Sequence, residues 1–200
     1  QVMGIGVELL VIADIGFVGF PNAGKSSLLN LLTNARSKVA GYPFTTKIPQ
    51  LGVLRMYDQD IVLADIPGIL EGASEGLGMG FKFLRHISRT KGLAYLVDLS
   101  DENYLTSFDK LYTELKEYSE DLVNKPYVII GTKIDEDEAE ERFSKLKEKY
   151  KDVEVLPLSI YMDELLEPVR KAFVKLSGIL GDEDEDNRGC TSVRNLHAAY

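Results

Sequence analysis

The octet Gly19-Phe20-Pro21-Asn22-Ala23-Gly24-Lys25-Ser26 places a glycine, four residues and then Gly-Lys-Ser in one short stretch. That spacing suits a phosphate. Glycine lets backbone N–H groups turn inward and approach an anion closely, and a helix opening here presents the positive end of its dipole. Lys25 would neutralise the β and γ phosphates, and the Ser26 hydroxyl would ligate Mg²⁺. Ser27, the next residue, is counted with the nucleotide-binding set. A chance glycine-rich turn would not explain the apolar run before the loop or the helical pattern after it.

Downstream, Ile61-Val62-Leu63-Ala64 is an apolar run ending in the carboxylate of Asp65, followed by Ile66-Pro67-Gly68. An acid there is placed to hold Mg²⁺ through water, with Ile66 and Pro67 beside the nucleotide. Gly68 can offer its N–H to the γ phosphate. A lone Asp at a strand end is usually a turn or cap residue, and the phosphate loop upstream shifts the reading to the metal.

A base site follows at Thr132-Lys133-Ile134-Asp135. The usual guanine motif is Asn-Lys-x-Asp. Its carboxylate accepts hydrogen bonds from the guanine ring N1–H and exocyclic amine, a donor pair that adenine lacks, so Asp135 would select the base. Lys133 would lay its stem over the base. Thr132 stands where Asn is usual and lacks the amide donor, so a weaker tie between this loop and the phosphate loop is expected. Ser159-Ile160-Tyr161 stands where a backbone N–H would serve the guanine oxygen.

These residues need a frame that brings them to one edge. Val7 to Phe20 reads as a buried strand, Gly24 to Leu32 as a helix, and Arg36 to Pro49 as a loop. Leu51 to Met56 and Asp60 to Ala64 read as two strands about a short polar turn. Pro67 to Gly80 is glycine-rich, and Phe81 to Thr90 helical. Strands at Leu93–Leu99, Tyr127–Gly131 and Val153–Leu158 then alternate with helices at Tyr104–Leu122, Glu136–Tyr150 and Asp163–Leu176. This alternation predicts an α/β fold, a mostly parallel sheet with helices on both faces, whose ligands bind beyond the carboxyl ends of the strands. Residues 1–10 read as the remnant of a preceding segment, 11–180 as the nucleotide-binding domain, and 181–200 as an acidic, disordered tail opening on Asp182 to Asp186.

Composition narrows the class. A 44% hydrophobic and 28% charged chain of 200 residues suits one soluble domain with a full core. No apolar run approaches the roughly 20 residues that span a bilayer, so no membrane partner is expected. The net charge of −9 argues against a generally basic surface for nucleic acid. The single cysteine, Cys190, excludes an internal disulfide and agrees with a reducing, cytoplasmic setting. Gln1 is no initiator, so the chain is expected to be a fragment or processed product.

The octet, Tyr42-Pro43-Phe44-Thr45-Thr46, Asp65-Ile66-Pro67-Gly68, and the stretch from Glu71 through Gly76-Leu77-Gly78-Met79-Gly80 to Ile87 resemble the Obg GTPases over residues 10 to 178. A related family that prefers ATP shares the Tyr-Pro-Phe and glycine-rich stretches, but lacks Asp-x-Pro-Gly and the guanine-reading Lys-x-Asp. Full-length Obg proteins carry a glycine-rich domain ahead of this one, which is missing here. The resemblance implies the P-loop GTPase fold and GTP as substrate, with Lys25, Thr46 and Gly68 as the catalytic set. Thr46 would join Ser26 on Mg²⁺ in the GTP state, and Phe44, Thr45, Lys47 and Ile48 would line the nucleotide. It also implies a monomer that works on the large ribosomal subunit or its RNA. The cluster Lys82, Arg85, His86 and Arg89 offers a basic patch for that contact on an acidic chain.

Many GTPases place a glutamine just after Asp-x-x-Gly to orient the attacking water. Here Ile69 stands there and cannot hydrogen-bond, so slow intrinsic turnover is expected, with Glu71 or the Thr46 backbone left to position the water. Related GTPases with Asn at position 22 of this chain use it to hold K⁺, a cation that could stand in for an arginine finger. The alternative is that Asn22 only stiffens the loop. Two other readings compete with the switch enzyme: a nucleotide-dependent scaffold with negligible hydrolysis, and an ATP-using kinase, which Asp135 disfavours.

Overall fold

The structure, a computed structural model, describes residues 13–33, 38–39, 50–65 and 90–178. They form a seven-stranded sheet in the order β2-β3-β4-β1-β5-β6-β7. The strands are β1 (Ile15–Gly19), β2 (Lys38–Val39), β3 (Gln50–Met56), β4 (Gln59–Asp65), β5 (Gly92–Asp98), β6 (Tyr127–Thr132) and β7 (Val155–Leu158). From β4 through β1, β5 and β6 to β7 all pairings are parallel, while β2 and β3 join antiparallel at one edge. The helices are α1 (Lys25–Leu32), α2 (Tyr104–Tyr118), α3 (Glu120–Val123), α4 (Ala139–Lys149) and α5 (Leu166–Ser177), with a 3₁₀ turn at Asp163–Leu165.

Parallel strands covered on both faces must be apolar throughout. In β5, Ala94 and Leu96 point into one core with Ile15, Phe17, Leu28, Leu29 and Phe173, beneath α1 and α5. Leu93, Tyr95 and Val97 point into the other with Val18, Phe108, Leu115 and Leu146, beneath α2 and α4. Because β1 lies between β4 and β5, strand order reverses around it, and the crevice after β1 is where such a sheet takes its ligand.

Several predicted elements shift. The strand expected over Val7 to Phe20 is narrower: residues 7–12 lie outside the described residues, and β1 opens only after Asp14. Asp14 is a junction, its carboxylate accepting the Val62 N–H at 2.8 Å and facing Lys91 Nζ at 3.2 Å. The helix expected over Tyr104–Leu122 breaks at Ser119, which is extended at φ −157°, and restarts with Glu120 and Asp121 in the first turn of α3. That expected from Glu136 starts at Ala139, because Glu138 is left-handed at φ 60°. Lys38–Val39 forms a short edge strand inside the expected loop.

The β3–β4 hairpin turns through Tyr57 and Asp58, both left-handed at φ 49° and 56°. This matches the right-handed strand twist at a cost for two residues that carry Cβ atoms. Within β3, Gly52 lies against the end of α1: a Cβ there would stand 2.5 Å from Thr33 Cγ2. The glycine thus sets how closely α1 packs on the hairpin.

Candidate functional site

The loop after β1 enters α1 through Gly24, left-handed at φ 93°, a conformation that a side chain would strain. Leu28 N–H donates to the Gly24 carbonyl at 2.9 Å, which starts the helix, whose first N–H groups have no partner within it. Lys25 folds back over this loop, its Nζ donating to the Gly19 carbonyl at 2.6 Å and more weakly to that of Phe20 at 3.4 Å. Pro21 and Asn22 are exposed, and Asn22 is left-handed at φ 68°. Ser27 is exposed beside Ser26 in the first turn of α1.

Asp65 ends β4 in register with Phe17 of β1, which brings it beside this turn. Ser26 Oγ donates to Asp65 Oδ2 at 3.0 Å. Asp65 is buried, and its Oδ1 has no hydrogen-bond partner among the described residues. Burial raises its pKa above the usual carboxylate value, against the charge of Lys25 and the Ser26 bond, which lower it. A buried, half-satisfied carboxylate beside a hydroxyl is an all-oxygen donor pair of the kind Mg²⁺ prefers. The residues present therefore fit that ion.

The base end meets the phosphate end directly. Buried Thr132 donates its hydroxyl to the Ala23 carbonyl of the phosphate loop at 2.9 Å, with the Val97 carbonyl farther at 3.3 Å. The tie between the two loops is made without the amide: the shorter side chain reaches the phosphate loop through its hydroxyl. Lys133 is left-handed at φ 62°, and its Nζ pairs with Asp98 Oδ2 at 2.5 Å. Asp135 is exposed at the same edge. Ser159 is buried, and its Oγ accepts the Tyr161 N–H at 3.0 Å. Ile160 and Tyr161 are exposed at the rim.

The structure thus gathers Gly19, Phe20, Ala23, Gly24, Lys25, Ser26, Asp65 and Thr132 into one contiguous site, with Lys133, Asp135 and Ser159 along the same sheet edge. Phe44, Thr45, Thr46, Lys47, Ile48, Ile66, Pro67, Gly68 and the basic cluster of Lys82 to Arg89 lie outside the described residues. Sequence reading missed Asp98. Its signal was present, since it ends an apolar strand at the ligand edge just as Asp65 does.

With this geometry in hand, residues 14–133 match the family described as 50S ribosome-binding GTPase. The chain belongs to that family. Among its GTPases, the chain is 59% identical over 172 residues to the GTPase Obg of Treponema denticola, covering 86% of this chain and 45% of that protein. It is 51% identical over 174 residues to the GTPase Obg of Treponema pallidum, covering 86% and 46%. The chain therefore spans a little under half the length of these curated relatives. The G domain of the T. maritima FeoB iron transporter superposes with a TM-score of 0.62 at 24% identity, over 84% of this chain and 99% of that one. That likeness establishes the P-loop GTPase fold. Among the described residues, no helix of this GTPase domain is long and apolar enough to cross a membrane.

Proposed function

We propose that this domain binds GTP, hydrolyses it slowly to GDP and phosphate, and serves as a Mg²⁺-dependent switch in the cytoplasm, in large ribosomal subunit assembly and in stress response. The observation that carries the reading is the bond from Thr132 to the Ala23 carbonyl, which makes one site of the phosphate loop and the guanine-reading loop. Lys25, whose ammonium lies on the carbonyls of its own loop, would meet the β and γ phosphates as a charge-assisted donor. The N–H groups entering α1 hold the phosphate oxygens. Ser26 and Asp65 would hold Mg²⁺, which when bound neutralises phosphate charge. Thr46 and Gly68 keep the roles that the resemblance implies, on Mg²⁺ and on the γ phosphate. Asp135 accepts from guanine, and Ile160 and Tyr161 close the rim.

Ile69 supplies no hydrogen bond to a water, which supports slow turnover and also favours the second reading, a scaffold that hydrolyses only with a partner. Asn22 is the residue that would hold K⁺. Its left-handed backbone, which Asn tolerates better than Ala, equally fits a stiffening role. Asn22→Gly allows the left-handed backbone but removes the amide and loosens the loop, so loss of K⁺ stimulation with GTP affinity intact supports the cation role, and a parallel loss of GTP affinity supports stiffening.

Competition binding tests the base reading. GTP and GDP should displace a labelled guanine nucleotide at concentrations roughly a hundredfold or more below ATP, and Asp135→Asn should shift preference toward xanthine nucleotides. Equal affinity for ATP would overturn it. Single-turnover hydrolysis in K⁺ and in Na⁺ then decides between enzyme and scaffold. Sedimentation with large subunits should retain the protein with a non-hydrolysable GTP analogue and release it with GDP.

A further inference from the structure

Asp98 belongs to none of the motifs, yet it is the most completely held carboxylate at the sheet edge. It ends β5 in register with Thr132, the last residue of β6, so Lys133, the first residue after that strand, lies close to it. Its Oδ2 takes the Lys133 ammonium at 2.5 Å. Its Oδ1 accepts the Ser100 N–H at 2.9 Å and the Ser100 hydroxyl at 2.6 Å. Both oxygens are engaged, so the carboxylate cannot swing. The turn that carries it is pinned in its own right: Arg142 Nη1 of α4 donates to the Leu99 and Ser100 carbonyls at 3.0 and 3.1 Å. The guanidinium is fixed in place by Glu138 at 2.9 Å and lies over the Tyr104 ring at 5.7 Å.

An exposed ion pair is worth little, because two long side chains must be ordered to make it. This pair differs, since one partner is short, three-quarters or more buried and already immobile. The remaining freedom is that of the lysine stem, which is the part that would face the base in the guanine-site reading. Burial alone would raise the Asp98 pKa, but the bonds from Lys133 and Ser100 carry it below the ordinary value, so the carboxylate stays charged for the lysine.

We propose that Asp98 is a positioning residue of the base site, which fixes the Lys133 ammonium so that the lysine stem stands as a preformed wall for the nucleobase. The inference rests on the guanine-site reading above. Arg142 sets the height of that wall from α4, outside the nucleotide site.

The test measures affinity of the full chain for a fluorescent GDP analogue. Asp98→Ala should weaken binding about tenfold, the order set by releasing the rotamers of one lysine. Asp98→Asn, which keeps an acceptor, should fall between Asp98→Ala and wild type. In turnover the loss should appear in KM, with kcat changed less than about twofold, because the wall touches no reacting atom. A double-mutant cycle separates positioning from a general effect on the loop: in a Lys133→Met background, Asp98→Ala should cost nothing further. An equal loss in both backgrounds overturns the proposal, and so does tighter binding by Asp98→Ala, which would make the pair a competitor of the nucleotide. Should Asp98→Ala fail to fold, Asp98→Asn and Lys133→Met carry the cycle. Unchanged affinity in Asp98→Ala, with wild type still preferring guanine, sinks the role of Asp98 alone. Wild type without that preference sinks the base site and this inference together.

Discussion

The two ends of the site are held in opposite ways. At the base end, side chains are held by neighbouring elements: Thr132 is bonded to the phosphate loop and Lys133 to Asp98. At the phosphate end, Lys25 satisfies itself on its own loop at the Gly19 carbonyl, and the Asp65 oxygen Oδ1 has no partner among the described residues. Under the proposed function, a base end held in this way would keep its grip on the base while the phosphate contacts change with the state of the nucleotide.

The contrast makes its largest prediction at Lys25. Lys25→Ala should weaken GTP binding by about 2–5 kcal/mol, the cost of stripping one partner from a charge-assisted contact, with a smaller loss of folding stability, since Lys25 donates to carbonyls of its own loop and also eases the charge of buried Asp65. Calorimetry with GTP and a thermal melt check both halves, and a large drop in melting temperature would show that the phosphate end is structural too. Thr132 should behave in the reverse manner. Thr132→Val keeps the shape but orphans the Ala23 carbonyl, so stability should fall by about 1–3 kcal/mol in urea unfolding, with Thr132→Ser largely restoring it. No loss in Thr132→Val would mean that the two ends are independent.

Acid sharpens the base end further. The folded pKa of Asp98 is depressed, so its contribution is full above the unfolded value of 3.8 and is lost as pH falls through the lower folded value. Below that window wild type and Asp98→Asn should converge in stability, while at neutral pH wild type should be the more stable. A constant difference across the range would show that the charge plays no part. The smallest effect belongs to Tyr95, behind the same strand. Its hydroxyl is buried without a partner among the described residues, and burial pushes its pKa up. Tyr95→Phe removes a group that is dry and unsatisfied, so stability should rise by about 1 kcal/mol or less. A clear loss in the thermal melt would reveal a partner for that oxygen.

What was legible in the sequence was whatever a local pattern encodes. Gly19 to Ser26 announces a phosphate site because its spacing, strand and helix are all contiguous, and Asp65 is visible as the end of an apolar run. The strands were readable because β1 and β5 are apolar on both faces. The interruptions were not. Ser119 and Glu138 break or delay helices through backbone angles that neither residue type demands. Nor were the braces visible: Asp98 meets Lys133 only through the β5–β6 register, and Arg142 reaches the Leu99 and Ser100 carbonyls from another helix. The Thr132 contact was not legible either, because whether its hydroxyl reaches the Ala23 carbonyl depends on the distance between two loops far apart in sequence.

The hairpin tip at Tyr57 and Asp58 offers a practical handle. It joins the start of β4, while Asp65 ends that strand, so the tip stands about 20 Å from the Asp65 carboxylate at the usual strand rise. Both residues are exposed and held in a backbone that glycine would adopt more readily. A dye, an affinity tag or a new pair of chain ends could be installed there, at a joint the fold tolerates under tension and far from where the nucleotide would sit. Such an attachment point would let binding and partner capture be followed on an otherwise untouched surface.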